Sequence, residues 1–140
     1  MVAPDALVRP IERLQQNLAI SVPTLSQVAA AAAFDGCDEM EAVKHGYEEN
    51  RRILLADLPK AGFDEILPVD GAFYLYADVS RFSNDSFDFA QRMLAETHVA
   101  ATPGVDFDPL QGGHFTRFCY AGAAAEMREA VKRIATWLKP

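Results

Sequence analysis

The chain has 140 residues, half of them apolar, which matches one ordinary domain around a single core. Its 20 acidic and 13 basic residues give a formal net charge of -7, and lysine and arginine form no cluster, which argues against nucleic acid as a partner. Because there is no signal segment, no membrane-length apolar run, and no ligand spacing around Cys37 or Cys119, we expect a cytoplasmic protein without a metal or membrane partner.

The first 61 residues carry helical patterns and no strand pattern. "PTLSQVAAAAAF" predicts a helix capped by Thr24, and a third helix of about 20 residues is predicted to begin at Asp38 and to stop at Pro59 and Gly62. A helix of this length is predicted to extend past one compact layer and to connect two bodies of the fold. A first helix is predicted upstream by apolar residues at helical spacing: Leu7, Ile11, Leu14 and Leu18.

From Gly62 onwards the sequence changes to short aromatic and β-branched runs separated by turn residues. This order predicts an α+β fold, with a small mixed or antiparallel sheet and helices on one face. We therefore divide the chain into a helical segment, 1–61, and a small domain, 62–140. The predicted strands are residues 72–78, 99–101 and 115–121, and the predicted helices are residues 86–96 and 124–138.

Arg117 is the only Asp, Glu, Lys or Arg between residues 109 and 125, and it lies in the strand-like run "HFTRFCYAG". Alternation places it on one face with Phe115 and Cys119. A guanidinium that loses water needs an anion, and its planar fork matches a carboxylate. Two interpretations stay open: Arg117 binds an anionic ligand, or it lies at a wet edge or pairs with an acidic residue of the fold. The acidic candidates are Asp78, Asp106 and Asp108.

Five segments resemble, in order and spacing, the C-terminal part of pyridoxal-phosphate-dependent class I/II aminotransferases. They are "QQNLAISVPTLSQVAAAAAF", "DEMEAVKHGYEENRRILLADLPKAGF", "PVDGAFYLYADVS", "VAATPGVDF" and "RFCYA". The resemblance implies that Arg117 grips the α-carboxylate of an amino acid or 2-oxo acid substrate. It implies that Gly71 lets the backbone approach the site and that Phe73 supports Gly71. For Phe73, a purely structural role as a core residue is an equally good interpretation. Asp108 stands where the family pattern usually has glycine, so we expect a different loop shape there.

The family's chemistry needs a lysine that forms a Schiff base with pyridoxal phosphate, and no lysine here has the family's sequence context. We expect the cofactor in the full-length parent and none in this chain alone, with no catalytic or cofactor-binding residue and no activity by itself. "MVAPDALVRPIERLQQ" resembles the segment just after that lysine, so residues 1–61 would be the end of the large domain plus an interdomain helix. The four lysines considered are Lys44, Lys60, Lys132 and Lys139.

Three other functions remain open. A lyase or decarboxylase of the same superfamily keeps the carboxylate grip. A stand-alone module would dimerise or bind without catalysis, and an effector domain of a transcription regulator would require a DNA-binding signal that we do not find. We expect a homodimer, because one apolar stripe on the long helix has no sheet beneath it: Met40, Val43, Tyr47, Leu54 and Leu58.

Overall fold

The structure, a computed structural model, describes residues 3–139. Its internal contacts divide the chain into two compact units, one ending at Glu41 and one beginning at Ala42. None of the helices within the described residues has the length and apolar character that a bilayer span requires. The assignment of 1–61 to a large domain and of 62–140 to a small domain stays a prediction.

The first unit consists of helices α1 (Asp5–Leu18) and α2 (Thr24–Ala32) and the beginning of α3 (Cys37–Asp57). No residue of α1 or α2 is buried. The capping role predicted for Thr24 is wrong: the N-cap is Pro23, which offers no side-chain acceptor, and Thr24 is already the first helical residue. Gln27 Nε2 instead donates to the Val22 carbonyl over 2.7 Å, and so ties the first turn to the preceding segment.

The second unit is the α+β layer that the sequence predicts. Its elements after α3 are β1 (Tyr74–Asp78), α4 (Ser86–Thr97), β2 (Thr102–Pro103), β3 (Phe115–Cys119) and α5 (Ala124–Trp137). The three strands form one sheet in the order β1-β3-β2, with both pairings antiparallel, so that the strand carrying Arg117 is central, as predicted. The strand predicted at 99–101 is wrong by three residues, because pairing with β3 begins only at Thr102.

The two faces of the sheet differ in burial. On one face Thr116 and Phe118 of β3 are buried with the apolar residues of the helices, whereas Arg117 lies on the other face. The register places Tyr76 of β1 and Thr102 of β2 on either side of Arg117, so these three residues form one row across the sheet. The core under the opposite face is one cluster that includes Leu54, Leu58, Phe63, Leu75, Phe89, Met93, Phe118, Tyr120, Val131 and Ile134.

Two polar side chains of α3 fix the segments that flank the sheet. Asn50 is buried, and its Nδ2 donates to the carbonyls of Tyr120 (2.9 Å) and Gly122 (2.6 Å), just after β3. Arg51 Nε donates over 2.8 Å to the carbonyl of Val69, just before β1. One turn of helix therefore holds both the entry to β1 and the exit from β3.

Candidate functional site

Arg117 is a half-buried cation without an anionic partner. Its Nη2 donates to Thr102 Oγ1 over 3.3 Å, and its Nε is buried with no hydrogen-bond partner. Within residues 3–139 no carboxylate lies at ion-pair distance from it, so the proposed pairing with an acidic residue of the fold is not formed. Two of the three acidic candidates bond elsewhere: Asp78 accepts from Ser80, and Asp108 accepts from two backbone N–H groups.

Two aromatic rings lie against the guanidinium of Arg117. The ring centroid of Tyr74 is 4.1 Å from its Cζ atom, and that of Phe107 is 4.3 Å away. Both distances are typical of cation–π contacts, which stabilise the charge and restrict the plane of the guanidinium. Next to them Tyr76 and Phe115 stack with centroids 4.9 Å apart and an interplanar angle of 7°. The arginine therefore lies in an aromatic setting with its charge uncompensated.

The loop from residue 104 to residue 114 brings Phe107 to the site. Gly104 and Gly112 touch through their backbones: a Cβ on Gly104 would lie 2.5 Å from the Gly112 carbonyl oxygen and 2.7 Å from that of Phe115. Gly104 does not adopt a left-handed backbone, since within the described residues Gly62 is the only glycine with positive φ. Glycine is needed at 104 for close approach. Ser86 Oγ anchors the same contact by donating to the Gly112 carbonyl over 2.8 Å.

Tyr76 lies under this loop. Its hydroxyl is buried without a hydrogen-bond partner and sits close to Gly104. Burial, and secondarily the nearby charge of Asp108, raise the pKa of the Tyr76 phenol, so that the neutral form is favoured. The Tyr76 hydroxyl is therefore uncharged, and it lies buried on the same face of the sheet as Arg117.

The other two predicted site residues lie just before and beside this cluster. Phe73 contacts the ring of Tyr74, with centroids 4.5 Å apart, and the ring of Tyr47, 5.7 Å away, so it supports a ring that touches Arg117. A Cβ on Gly71 would meet no atom within 4 Å, and the left-handed residue of this turn is Ala72, with φ of 56°. Nothing within the described residues thus demands glycine at 71, and its role stays a prediction.

Sequence reasoning missed the neighbours of Arg117. Tyr76 and Thr102 are found only once the register of the sheet is known, and Phe107 only once the loop is folded. Tyr74 carried a usable signal, since it alternates with Tyr76 in the strand "YLYAD".

The family model for class I and II aminotransferases matches residues 1–134. The chain belongs to the class I and II aminotransferase family. It is 43% identical to the valine–pyruvate aminotransferase of Mycobacterium tuberculosis, over 99% of this chain and 36% of that protein. It is 33% identical to the (5-formylfuran-3-yl)methyl phosphate transaminase of Methanocaldococcus jannaschii, again over 99% of the chain and 36% of the relative.

A crystal structure of an aminotransferase from Mycobacterium tuberculosis superimposes with a TM-score of 0.92 and 43% identity, over 97% of this chain and 36% of that one. The chain thus spans a little over a third of the length of these aminotransferases and corresponds to their C-terminal region. This confirms the predicted resemblance and the α+β architecture that it implies.

Class I and II aminotransferases use pyridoxal phosphate, which supplies the electron sink for amino-group transfer when it is bound. The described residues do not fit an anchor for this group. The side chains that contact Arg117 are aromatic or hydroxylic, and none is a lysine. Lys60, by contrast, is exposed and paired with Asp57 over 2.6 Å.

Proposed function

We propose that this chain provides the substrate-carboxylate-binding part of an aminotransferase that exchanges an amino group between an amino acid and a 2-oxo acid. One observation carries the proposal. The half-buried guanidinium of Arg117 has aromatic contacts and one hydroxyl partner, but no carboxylate of the described residues lies at ion-pair distance from it. A cation in that state gains most from an anion with two coplanar oxygens, which is the geometry of an α-carboxylate.

The surroundings of Arg117 suit this role. Thr102 holds one end of the guanidinium, and the rings of Tyr74 and Phe107 limit its rotation and keep water from its faces. A carboxylate then meets a donor fork that is already oriented, which reduces the entropy lost on binding. Phe73 supports Tyr74, and Gly71, in an open turn, leaves room for a ligand to approach the backbone.

Binding of pyruvate, followed by NMR of the isotope-labelled chain, tests the role of Arg117. We expect weak saturable binding whose signals centre on the arginine side chain. Arg117→Met should weaken it by about tenfold or more, since a charge-assisted bidentate pair is lost. Arg117→Lys should recover only part of it, because an ammonium lacks the planar fork.

Arg81→Met is the matched control, because Arg81 is an exposed arginine paired with Asp64. It should bind pyruvate as the unmodified chain does. Pyruvate binding that survives Arg117→Met unchanged would show that the carboxylate site lies elsewhere.

We propose further that the chain alone transfers no amino group, because no lysine side chain contacts Arg117 within the described residues. Incubation with pyridoxal phosphate and borohydride, followed by peptide mass spectrometry, should show only scattered, substoichiometric labelling of the four lysines. One lysine labelled stoichiometrically would contradict this proposal. The transaminase relatives support amino-group transfer over the lyase or decarboxylase alternative.

A homodimer and a cytoplasmic location remain part of the proposal. The homodimer is supported by the exposed apolar side chains of the first unit, among them Leu18, Leu25 and Phe34. The location is supported by Cys37 and Cys119, which are both free thiols, as is usual for proteins of a reducing compartment. Fractionation of expressing cells with a marker enzyme for each compartment tests the location.

A further inference from the structure

Asp108 follows Phe107 in the loop of residues 104–114, and its side chain bonds within that loop. Its Oδ1 accepts hydrogen bonds from the backbone N–H groups of Leu110 (2.8 Å) and Gln111 (3.1 Å). Its own carbonyl accepts from Gly112 N over 2.9 Å. The side chain thus closes a turn over residues 108–112 that glycine could not close in the same way.

This turn lies next to the residue that covers the arginine. Phe107 contacts the guanidinium of Arg117, yet it is 51% exposed, so core packing contributes little to holding its ring there. The ring is positioned by backbone bonds instead, since Phe107 N and Asp108 N both donate to the Gly104 carbonyl, over 2.9 and 3.0 Å. Phe107 therefore stays on Arg117 only while the loop keeps its fold.

The loop is closed at both ends. Gly104 and Gly112 meet backbone to backbone, and Ser86 fixes Gly112 from α4. Between these anchors, the Asp108 side chain adds two bonds, from the N–H groups of residues 110 and 111. Without it the segment between the glycines has only backbone bonds to keep its shape.

We propose that Asp108 is a positioning residue for the carboxylate grip, which acts through the ring of Phe107 on the guanidinium of Arg117. The inference rests on the proposed function of Arg117 and adds a structural device to it. The side-chain oxygen of Asp108 stabilises the fold of the loop, and the loop holds the ring of Phe107 against Arg117. The ring then restricts the plane in which the guanidinium can bind a carboxylate. The charge of Asp108 is not needed, because its Oδ1 accepts both hydrogen bonds from neutral backbone N–H groups.

Two substitutions separate the acceptor from the charge. Asp108→Asn keeps an oxygen that can accept the same bonds, whereas Asp108→Gly removes the acceptor. The side-chain Nε–H signal of Arg117, displaced by the ring currents of Tyr74 and Phe107, reports the position of the guanidinium without any ligand. Pyruvate titration reports its effect on binding.

We expect Asp108→Asn to leave both the Arg117 signal and the pyruvate affinity close to those of the unmodified chain. Asp108→Gly should move the signal towards that of a free arginine and weaken pyruvate binding about 3- to 5-fold, the loss of one cation–π contact. Phe107→Leu, which keeps an apolar side chain without the ring, should give the same two changes with Asp108 intact.

An Asp108→Gly chain that keeps both the Arg117 signal and the pyruvate affinity overturns the inference and leaves the proposed function intact. The inference also fails if Asp108→Asn is as weak as Asp108→Gly, because the charge would then be the active feature. If Arg117→Met binds pyruvate normally, the proposed function fails, while the ligand-free signal still decides whether Asp108 positions Arg117. Should Asp108→Gly not fold, Asp108→Ala replaces it, since it removes the acceptor without adding backbone freedom.

Discussion

At the scale of a single residue, Asn50 stabilises the segment that follows β3. Its amide group is the donor for two carbonyls just past β3, and it does so from the buried side of α3. Because Tyr120 is also buried, its carbonyl has no access to water if the amide is removed. The carbonyl of Gly122, in an exposed position, can be hydrated instead. The loss of Asn50 therefore costs mainly the hydrogen bond to the Tyr120 carbonyl.

We expect Asn50→Ala to lower the free energy of unfolding by about 1 to 3 kcal/mol, the cost of one buried, unsatisfied carbonyl. Urea denaturation followed by tryptophan fluorescence measures it through Trp137. The matched control is Gln91→Ala on an exposed face of α4, which should change stability by less than about 0.5 kcal/mol. Equal effects of the two substitutions would mean that the Asn50 bonds contribute nothing.

At the scale of elements, the sheet is asymmetric. Strands β1 and β3 pair over five positions, whereas β2 adds only Thr102 and Pro103. The loop of residues 104–114 continues directly from β2, so the short strand and the loop together carry Thr102 and Phe107 to the arginine. The close backbone contact between Gly104 and Gly112 at the base of this loop leaves no room for a larger side chain at either position.

Gly104→Ala should lower the free energy of unfolding by about 1 to 3 kcal/mol, because the new methyl group meets two backbone oxygens that cannot move aside cheaply. Gly71→Ala is the control, since a Cβ there meets open space, and it should cost less than about 0.5 kcal/mol. Thermal unfolding of both variants measures the difference. A Gly104→Ala chain as stable as Gly71→Ala would show that the loop tolerates a wider spacing.

At the scale of the whole molecule, the apolar stripe predicted on the long helix is divided. Leu54 and Leu58 are buried in the core of the second unit, and Tyr47 packs against Phe73. Met40 and Val43 remain 52% exposed. The exposed part of the predicted stripe is therefore its N-terminal part.

We expect light scattering across a concentration series to give the mass of a dimer. Leu25→Ser combined with Phe34→Ser should shift the chain towards the monomer, because these substitutions remove exposed apolar surface from the first unit, where the contact is proposed. Leu110→Ser, which changes a residue that is 92% exposed in the second unit, should leave the mass unchanged. A monomer at every concentration would contradict the dimer.

The sequence predicted those parts of the fold that depend on local periodicity. The helix "AAEMREAVKRIATW" and the strand "FTRFC" follow from their apolar spacing, and alternation along that strand places Arg117 away from the core. The extent of β2 could not be predicted in this way, because a strand is defined by its partner's hydrogen bonds. The contacts of Arg117 with Tyr74 and Phe107 join segments 43 and 10 residues away, and no local pattern contains them.

The shortness of β2 has a consequence for how copies of this chain meet one another at high concentration. An outer strand normally offers a row of unpaired N–H and C=O groups on which a foreign strand can grow into an aggregate. Here that strand has two residues, one of them is Pro103, and a tight turn follows at once. Proline has no N–H to offer, so this edge presents almost no template for β-type polymerisation. The β2 edge of the sheet therefore resists β-type polymerisation and leaves association through the helices as the remaining route.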